Sequence, residues 1–438
     1  MEALRYPKYR LALGISTLAW IALWLSNIAV TAGMLQAGRT SADIGLFQGA
    51  WTLGVPLSVI AGGLITDRLG PTTAIRLGLC LEFAGMVLMG LAVSVADVPL
   101  PGLLLAAMLI GSSDGMNGVG INVLAGGVVP RHLMASAIGL LLLALASGRI
   151  VGGTLAGPAV QALGASGALY LCAALVAMGL VLTFAIGHVQ LAPTDGSRAY
   201  ADLRPAMRWY RQTPDARTVL TVGALMAVLV YGYFSLLPVI VGQTMGTDTT
   251  SQGLAMAAGG FGVAVAALLM GPTARRIGVG RLLFLAALGA SASLVTLGLG
   301  QTSLVVLIAV TFLPAFTNVQ AASASVVLQT LAPVGVRGRV VGLYSMTFAA
   351  LLPVGTVTAG WLGARFGARE TLLVLASLMA ISVIVLAIRR PAIARELVTP
   401  VTAVPGPQDP LGVPATAAAG PAAAAGAPLV DGPPAAAP

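Results

Sequence analysis

The feature that most constrains this chain is a train of apolar runs, each about 20 residues or longer, set apart by short charged or Gly/Pro-rich breaks. Each run is long enough to cross the hydrocarbon core of a bilayer as a helix. The runs mostly lack the period-two alternation of a membrane-barrel strand. In lipid every backbone N–H and C=O needs an internal partner, so helices and closed barrels are the only spanning structures. Of the 438 residues, 58% are hydrophobic and 8% are charged, whereas a soluble domain carries about a quarter charged residues. The expected fold class is all-α and integral to the membrane.

The breaks place twelve spans at 11–35, 43–65, 73–95, 100–127, 135–160, 166–187, 218–243, 250–271, 280–300, 303–328, 338–362 and 370–388. Residues 1–187 then form an N-terminal six-helix bundle and 218–390 a C-terminal one. Between them, 188–217 is a polar linker carrying Arg198, Arg204, Arg208, Arg211 and Arg217 with Asp195, Asp202 and Asp215. Residues 391–438 hold 11 prolines and almost no large apolar side chains, a composition that cannot bury enough surface to fold, so disorder is expected there. Residues 1–10 are basic, but the apolar stretch that follows is too long for a signal peptide and lacks a small-residue cleavage site, so it reads as the first span.

Charge sets the orientation. With the N-terminus inside, 19 of the 23 Lys and Arg residues fall in inside segments; Arg39, Arg365 and Arg369 fall outside and Arg149 lies mid-span. Positive loops stay cytoplasmic, which predicts a multi-pass protein of the cell's inner (plasma) membrane with both termini in the cytoplasm. The net charge of +9 belongs to those loops, and no aromatic-interleaved patch suggests nucleic acid.

Cys80 and Cys172 each lie inside a span, so a disulfide framework is not expected, and no Cys/His cluster signals a metal. His132 and His188 sit at span ends and read as solvated side chains. There is no nucleophile–base constellation and no phosphate-binding loop with a lysine, which argues against an enzyme or an ATP-driven pump. No cofactor is expected.

The two halves echo each other. At an offset of 208, Gly45 matches Gly253, Gly54 matches Gly262, Gly63 matches Gly271, Arg68 matches Arg276 and Gly70 matches Gly278. At an offset of 203, Pro130 matches Pro333, Gly139 matches Gly342, Gly152 matches Gly355, Gly157 matches Gly360 and Gly164 matches Gly367. Six spans per half put both copies in the membrane the same way round. This is a parallel repeat about the membrane normal, with a midplane site between rocking halves, the architecture of a secondary transporter.

The break after the second span reads Gly63-Leu64-Ile65-Thr66-Asp67-Arg68-Leu69-Gly70. It resembles the signature between helices 2 and 3 of the major facilitator superfamily, although the basic residues usual after the last glycine are replaced by Pro71, Thr72 and Thr73. The second copy, Gly271-Pro272-Thr273-Ala274-Arg275-Arg276-Ile277-Gly278, has Arg275 where the first has Asp67. The resemblance implies a cytoplasmic latch built from Gly63, Asp67, Arg68, Gly70 and Arg276, with Asp67 capping a helix or pairing with an Arg across the halves. An ordinary tight turn with inside-facing charge is the other reading. Pro130-Arg131, Ala135 to Gly139-Leu140, and Gly148-Arg149-Ile150-Val151-Gly152-Gly153-Thr154-Leu155-Ala156-Gly157 resemble the branch that exports siderophores, macrolides and other small molecules. They also resemble the fifth-helix signature of drug/proton antiporters, except that Gly153 stands where that signature has proline.

Three ionisable residues fall near span centres: Glu82, Asp114 and Arg149. A charge there costs about 2.5–3.5 kcal/mol on translocon scales, so placement towards lipid is disfavoured. In the family resembled, helices 1, 4, 7 and 10 line the cavity. That points Asp114 towards the pathway as a proton-coupling carboxylate with Arg149 as its charge partner in one state; a permanent structural pair is the alternative. Glu82 reads first as a packing residue and second as a coupling one. Candidate cavity residues are Trp24, Asn27, Thr31, Asn117, Asn122, Tyr231, Phe234, Phe312 and Phe316, a few polar groups among aromatic walls that suit an amphiphilic organic molecule.

The expected function is proton-coupled efflux of a small amphiphilic compound by a monomer whose partners are that substrate, protons and the bilayer. Two alternatives stay open: an importer or facilitator of a small nutrient or organic acid, and a non-transporting receptor on the same fold.

Overall fold

A computed structural model describes residues 2–95, 99–130, 133–187, 204–390 and 393. Arg131, His132, His188, the first part of the linker and, Ile393 aside, the tail from 391 onward lie outside them. The spans form α1 (Pro7–Gln36), α2 (Ser41–Leu69), α3 (Pro71–Ser94) and α4 (Leu100–Val128). A 53-residue stretch, Met134–Ile186, follows. Straight, it would be about 80 Å long, more than twice a bilayer core. It is broken at Gly164, whose φ of +73° and ψ of 170° are not helical, into α5 (134–163) and α6 (165–186).

Neighbouring contacts show the reversal. Gly148 of α5 packs on Trp20 and Gly179 of α6 on Ile15, so two points 31 residues apart touch α1 within a turn and a half. Then come α7 (Arg204–Gln212), α8 (Pro214–Thr244), α9 (Thr249–Ile277), α10 (Val279–Leu299), α11 (Ser303–Leu331), α12 (Arg337–Phe366) and α13 (Ala368–Arg389). Eleven helices among the described residues are long and apolar enough to cross a membrane. With Met134–Ile186 crossing twice, twelve spans result. The helices run a few residues past the apolar cores read from sequence, because the backbone stays helical into the interface.

The linker differs from the expected polar loop. Residues 204–212 are helical, and Tyr210 is buried with its hydroxyl donating to the Val340 carbonyl of α12 at 3.0 Å. Trp209 packs edge-on to Tyr210, ring centroids 5.3 Å apart. Ala206 and Tyr210, one turn apart and both buried, give this segment an apolar face among three arginines, a signal overshadowed in sequence by its charge.

The repeat is physical. Gly70 and Gly278 each join two helices in one residue, at φ +88° and +85°; Gly164 and Gly367 do the same at +73° and +97°. Positive φ is open to glycine and strained for other residues, which explains why glycine recurs at these offsets. Gly54 of α2 lies against α4, where a Cβ would come within 2.5 Å of the Met108 carbonyl oxygen, and Gly262 of α9 lies against Thr311 of α11 in the same way. Gly152 packs on α1 at Ile21 and Leu25; Gly355 packs on α8 at Ala227 and Val228. Caps repeat too. Thr40 forms a capping box with Asp43 at the start of α2, and 208 residues later Asp248 accepts from the Ser251 N–H at 2.9 Å to start α9. That hydrogen bond from the Ser251 backbone holds the Asp248 carboxyl below the usual carboxylate range.

The two sets, α1–α6 and α8–α13, meet along α2–α12 and α5–α9. Call the side bearing the start of α1 and the Gly70 turn the terminal face, and the side bearing the α1–α2 turn the far face. A Cβ on Gly45 would come within 2.9 Å of the Gly360 Cα, and one on Gly153 within 2.7 Å of the Gly253 carbonyl oxygen. Ser41 donates to the Gly360 carbonyl at 3.0 Å, and Gln161 to Thr250 at 3.2 Å. Small residues let backbones approach where lipid supplies no hydrophobic drive between helices. These contacts lie between the membrane centre and the far face, so the sets are drawn together there.

Gly54→Leu, forced into the Met108 backbone, is expected to abolish recovery of monodisperse protein after detergent extraction. Gly63→Ala, with open space around it, should leave the melting temperature unchanged or raise it; a loss at Gly63 as large as at Gly54 would refute the packing argument.

Candidate functional site

Chemistry-bearing side chains gather in two places. The first lies inside α1–α6, between α1, α3 and α4. Glu82 of α3 is 1% exposed. Its Oε2 accepts from Ser113 at 2.9 Å and from the Asn117 amide at 3.5 Å, while that amide also donates to Ser113 at 3.1 Å. Ser113 and Asn117 are four apart on α4, so one helical face presents both to the carboxylate. Glu82 Oε1 and Asn117 Oδ1 are buried with no partner.

Asp114, half-buried beside Ser113, faces the Trp20 ring across a shared cavity. A cavity of about 30 Å³, room for a water molecule, is lined by Glu82, Asp114, Asn117, Trp20 and Ser16 among others. Two carboxylates therefore share one small cavity whose remaining lining is mostly apolar, including Ile15, Leu23, Ile75, Leu79 and Ile121. No Lys or Arg among the described residues is in ion-pair contact with either of them.

Arg149 is the centre of the second place. It is 7% exposed and reaches from α5 across the seam. Its Nε donates to the Met256 thioether of α9 at 3.2 Å and one terminal nitrogen to the Tyr233 hydroxyl of α8 at 3.4 Å. The guanidinium lies over the Trp24 ring at 4.7 Å and the Phe234 ring at 5.6 Å. Trp24 and Phe234 stack at 6.3 Å; Tyr231 continues the aromatic wall, 6.3 Å from Phe234 and 5.0 Å from Phe348.

The local fold of α8 explains how three near-consecutive aromatics converge. Met226–Val230 is a wide π turn, with the Tyr231 N–H donating to Met226 five residues back at 3.0 Å. Pro238 cannot donate to the carbonyl one turn before it. The widened turn rotates Tyr231, Tyr233 and Phe234 out of strict helical phase, as such bulges do at functional sites.

The expected pairing of Asp114 with Arg149 is therefore absent from this conformation. Asp114 keeps company with Trp20 and Glu82, while Arg149 turns towards the other set, one turn along α1 at Trp24. Asn27 sits in an amide pair with Gln48 of α2, at 3.5 and 3.4 Å, and Thr31 donates to its own helix at the Asn27 carbonyl. Asn122 is exposed and bonds the Gly118 carbonyl of its own helix. Phe312 and Phe316 stack on each other at 6.1 Å, and Phe316 lies against Gly289 of α10. Phe316 belongs to the α10–α11 packing, Phe312 is exposed beside it, and neither joins the wall around Arg149.

Gly63, Gly70, Asp67, Arg68 and Arg276 fall at the two terminal-face turns. Asp67, Arg68 and Arg276 are exposed, and among the described residues Asp67 makes no hydrogen bond or ion pair. No latch is formed there in this conformation. Trp20, Ser113, Tyr233, Met256 and Phe348 escaped the sequence reading. Trp20 was detectable as the residue one turn before Trp24, but only packing reveals that it faces Asp114.

The sequence profile of one family, described as transmembrane secretion effector, matches residues 3–418. No curated protein matches the chain significantly. Among solved structures, the chain is similar to a nucleoside transporter, NupG, at 11% identity and a TM-score of 0.73, covering 89% of this chain and 99% of that one. It is similar to a bacterial homolog of the human lysosomal transporter Spinster at 15% identity and a TM-score of 0.70, covering 90% and 99%. A D-xylose–proton symporter matches at 14% identity and 0.69, covering 87% and 97%. These likenesses show the fold.

Burying Arg149 costs about 2.5–3.5 kcal/mol, and each desolvated ring contact returns roughly 1–2 kcal/mol, so the residue is close to neutral for stability. Arg149→Met, similar in volume, is expected to melt within a few degrees of wild type, whereas Arg149→Ala, which opens a void between the rings, should melt lower. Equal collapse of both variants would make Arg149 a structural residue.

Proposed function

We propose that this chain, which belongs to the transmembrane secretion effector family of major facilitator transporters, couples inward proton movement to export of a small amphiphilic organic molecule. That it is a multi-pass membrane transporter follows from the family and the fold. The direction and the coupling are our reading. Export is supported by the family's description, and coupling by one observation: Glu82 and Asp114 share a small cavity at mid-membrane with no cation in contact.

A carboxylate buried without a cation is least costly when it carries a proton. Two such groups around one water-sized cavity form an element that can take up and release one. Asp114, half-buried next to α1, is the exchanging group. Glu82, fully buried behind it and tied to Ser113, is the relay. Arg149 belongs to the substrate side of the cycle, since it contacts α8 and α9 and not Asp114.

In this reading residues 1–187 and 218–390 rock against each other. The α2–α12 and α5–α9 contacts close the far face, which positive-inside charge makes the extracellular one. The unformed latch around Asp67 fits a pathway facing the cytoplasm, with both termini in the cytoplasm, the protein in the inner membrane and one chain sufficient for the cycle.

Proteoliposomes carrying an internal pH dye, with a panel of lipophilic antibiotics, siderophores and dyes added under a proton gradient, test this. Wild type should show substrate-triggered proton flux, and Asp114→Asn and Glu82→Gln should lose most of it while remaining monodisperse. Flux that persists in both variants would remove the carboxylates from the mechanism. A labelled solute that equilibrates in wild type without moving protons would replace the exporter with a facilitator. The orientation has its own readout: a green fluorescent protein fused after residue 438 should fluoresce in a bacterial host, and alkaline phosphatase at the same point should be inactive.

A further inference from the structure

The proton reading uses two of the three mid-membrane charges and leaves Arg149 without a counter-ion. A buried guanidinium with no carboxylate is uncommon, because intramembrane charges normally pair or face a pathway. The groups around it are also out of balance as hydrogen-bonding groups. A guanidinium carries five N–H donors, yet its acceptors here are a thioether and a hydroxyl 3.4 Å away, both weak. Its remaining terminal nitrogen, Nη1, donates to no acceptor. Next to it the Trp24 indole Nε1 is buried and likewise has no acceptor, although the Trp24 ring stacks within 4.7 Å of the guanidinium. The cluster thus holds surplus donors and positive charge, and what is missing is an acceptor with negative charge.

We propose that Arg149 and the Trp24 indole form the head-group site for an anionic substrate, an amphiphile whose carboxylate, sulfonate or phosphate engages the guanidinium and whose flat apolar body lies along Trp24, Tyr231, Phe234 and Phe348. This rests on the reading of the inter-set space as the substrate pathway and narrows its cargo. A planar, permanently charged fork pairs bidentately with such groups, which a neutral or cationic molecule cannot exploit. The aromatic wall is continuous from α1 to α12, with centroid separations of 5.0–6.3 Å, so head and body are recognised by adjoining groups. The guanidinium also bridges α5 to α8 and α9. An anion that draws it away from Met256 and Tyr233 loosens a contact between the sets, which ties occupancy to the far-face seam.

Equilibrium dialysis of 2-naphthoate and its neutral isostere 2-naphthamide against wild-type protein in zwitterionic nanodiscs tests the site with no gradient applied. A failure of proton coupling would therefore leave the result standing. Saturable binding of the acid, tighter than the amide by on the order of tenfold or more, is expected from a charge-assisted hydrogen bond. Arg149→Met should erase the preference and Arg149→Lys should keep part of it. Equal binding of acid and amide, no saturable binding of the acid, or an undiminished preference in Arg149→Met would each overturn the proposal. The wild-type acid/amide comparison decides the matter even if the variants do not fold.

Discussion

Close approach of helix backbones through glycine is the constraint on which the rest of this structure depends. In lipid no hydrophobic effect drives helices together, so contact has to come from shape. Gly54 against α4, Gly152 against α1, Gly262 against α11 and Gly355 against α8 weld each set internally. Gly45 with Gly360 and Gly153 with Gly253 join the sets at the far face. The second kind of contact consists of two facing strips with few hydrogen bonds. Such a seam can part without unsatisfying backbone groups, because each helix keeps its own ladder. A transporter needs this property: firm units, and a boundary between them held mainly by shape, with a few side-chain hydrogen bonds such as Ser41 to Gly360 and Gln161 to Thr250.

The polar machinery is placed by that packing. Close contact of α2 with α4 and of α3 with α4 seats Ser113 and Asn117 against Glu82, and α1 brings Trp20 to Asp114. One turn further along α1, Trp24 meets a guanidinium that has crossed from α5 to the other set. Asp114 and Arg149 are thus held against successive turns of one helix, at Trp20 and Trp24, and a tilt of α1 would be felt at both. In the proposed cycle that single rigid element would carry the coupling.

Much of the fold was legible in advance. Apolar runs of bilayer length set the number of spans, and the glycine offsets of 208 and 203 marked the repeat, since positive φ at Gly70, Gly164, Gly278 and Gly367 admits little else. The helix in the linker was hidden because its few apolar residues sit among arginines. Site composition was partly legible. Glu82, Asp114 and Arg149 stood out because charge inside a span is costly. Their partners did not, because helical phase alone cannot say which neighbour a side chain meets. The π turn at Met226–Val230 also shifts Tyr231, Tyr233 and Phe234 off the phase that a regular helix predicts.

The division between the two sources is physical. By itself the sequence determined that this is a twelve-span helical membrane protein built from a repeat, because lipid forbids unpaired backbone and tight one-residue turns require glycine. Its mid-membrane charges marked where buried side chains would need partners inside the membrane. Tertiary packing alone decided that Asp114 joins Glu82 around one cavity instead of pairing with Arg149, and that Phe316 packs against α10, with the exposed Phe312 stacked on it, instead of joining the aromatic wall. Each of those outcomes turns on rotations of a fraction of a helical turn, set by which glycine meets which backbone, and no pattern along a single chain encodes that choice.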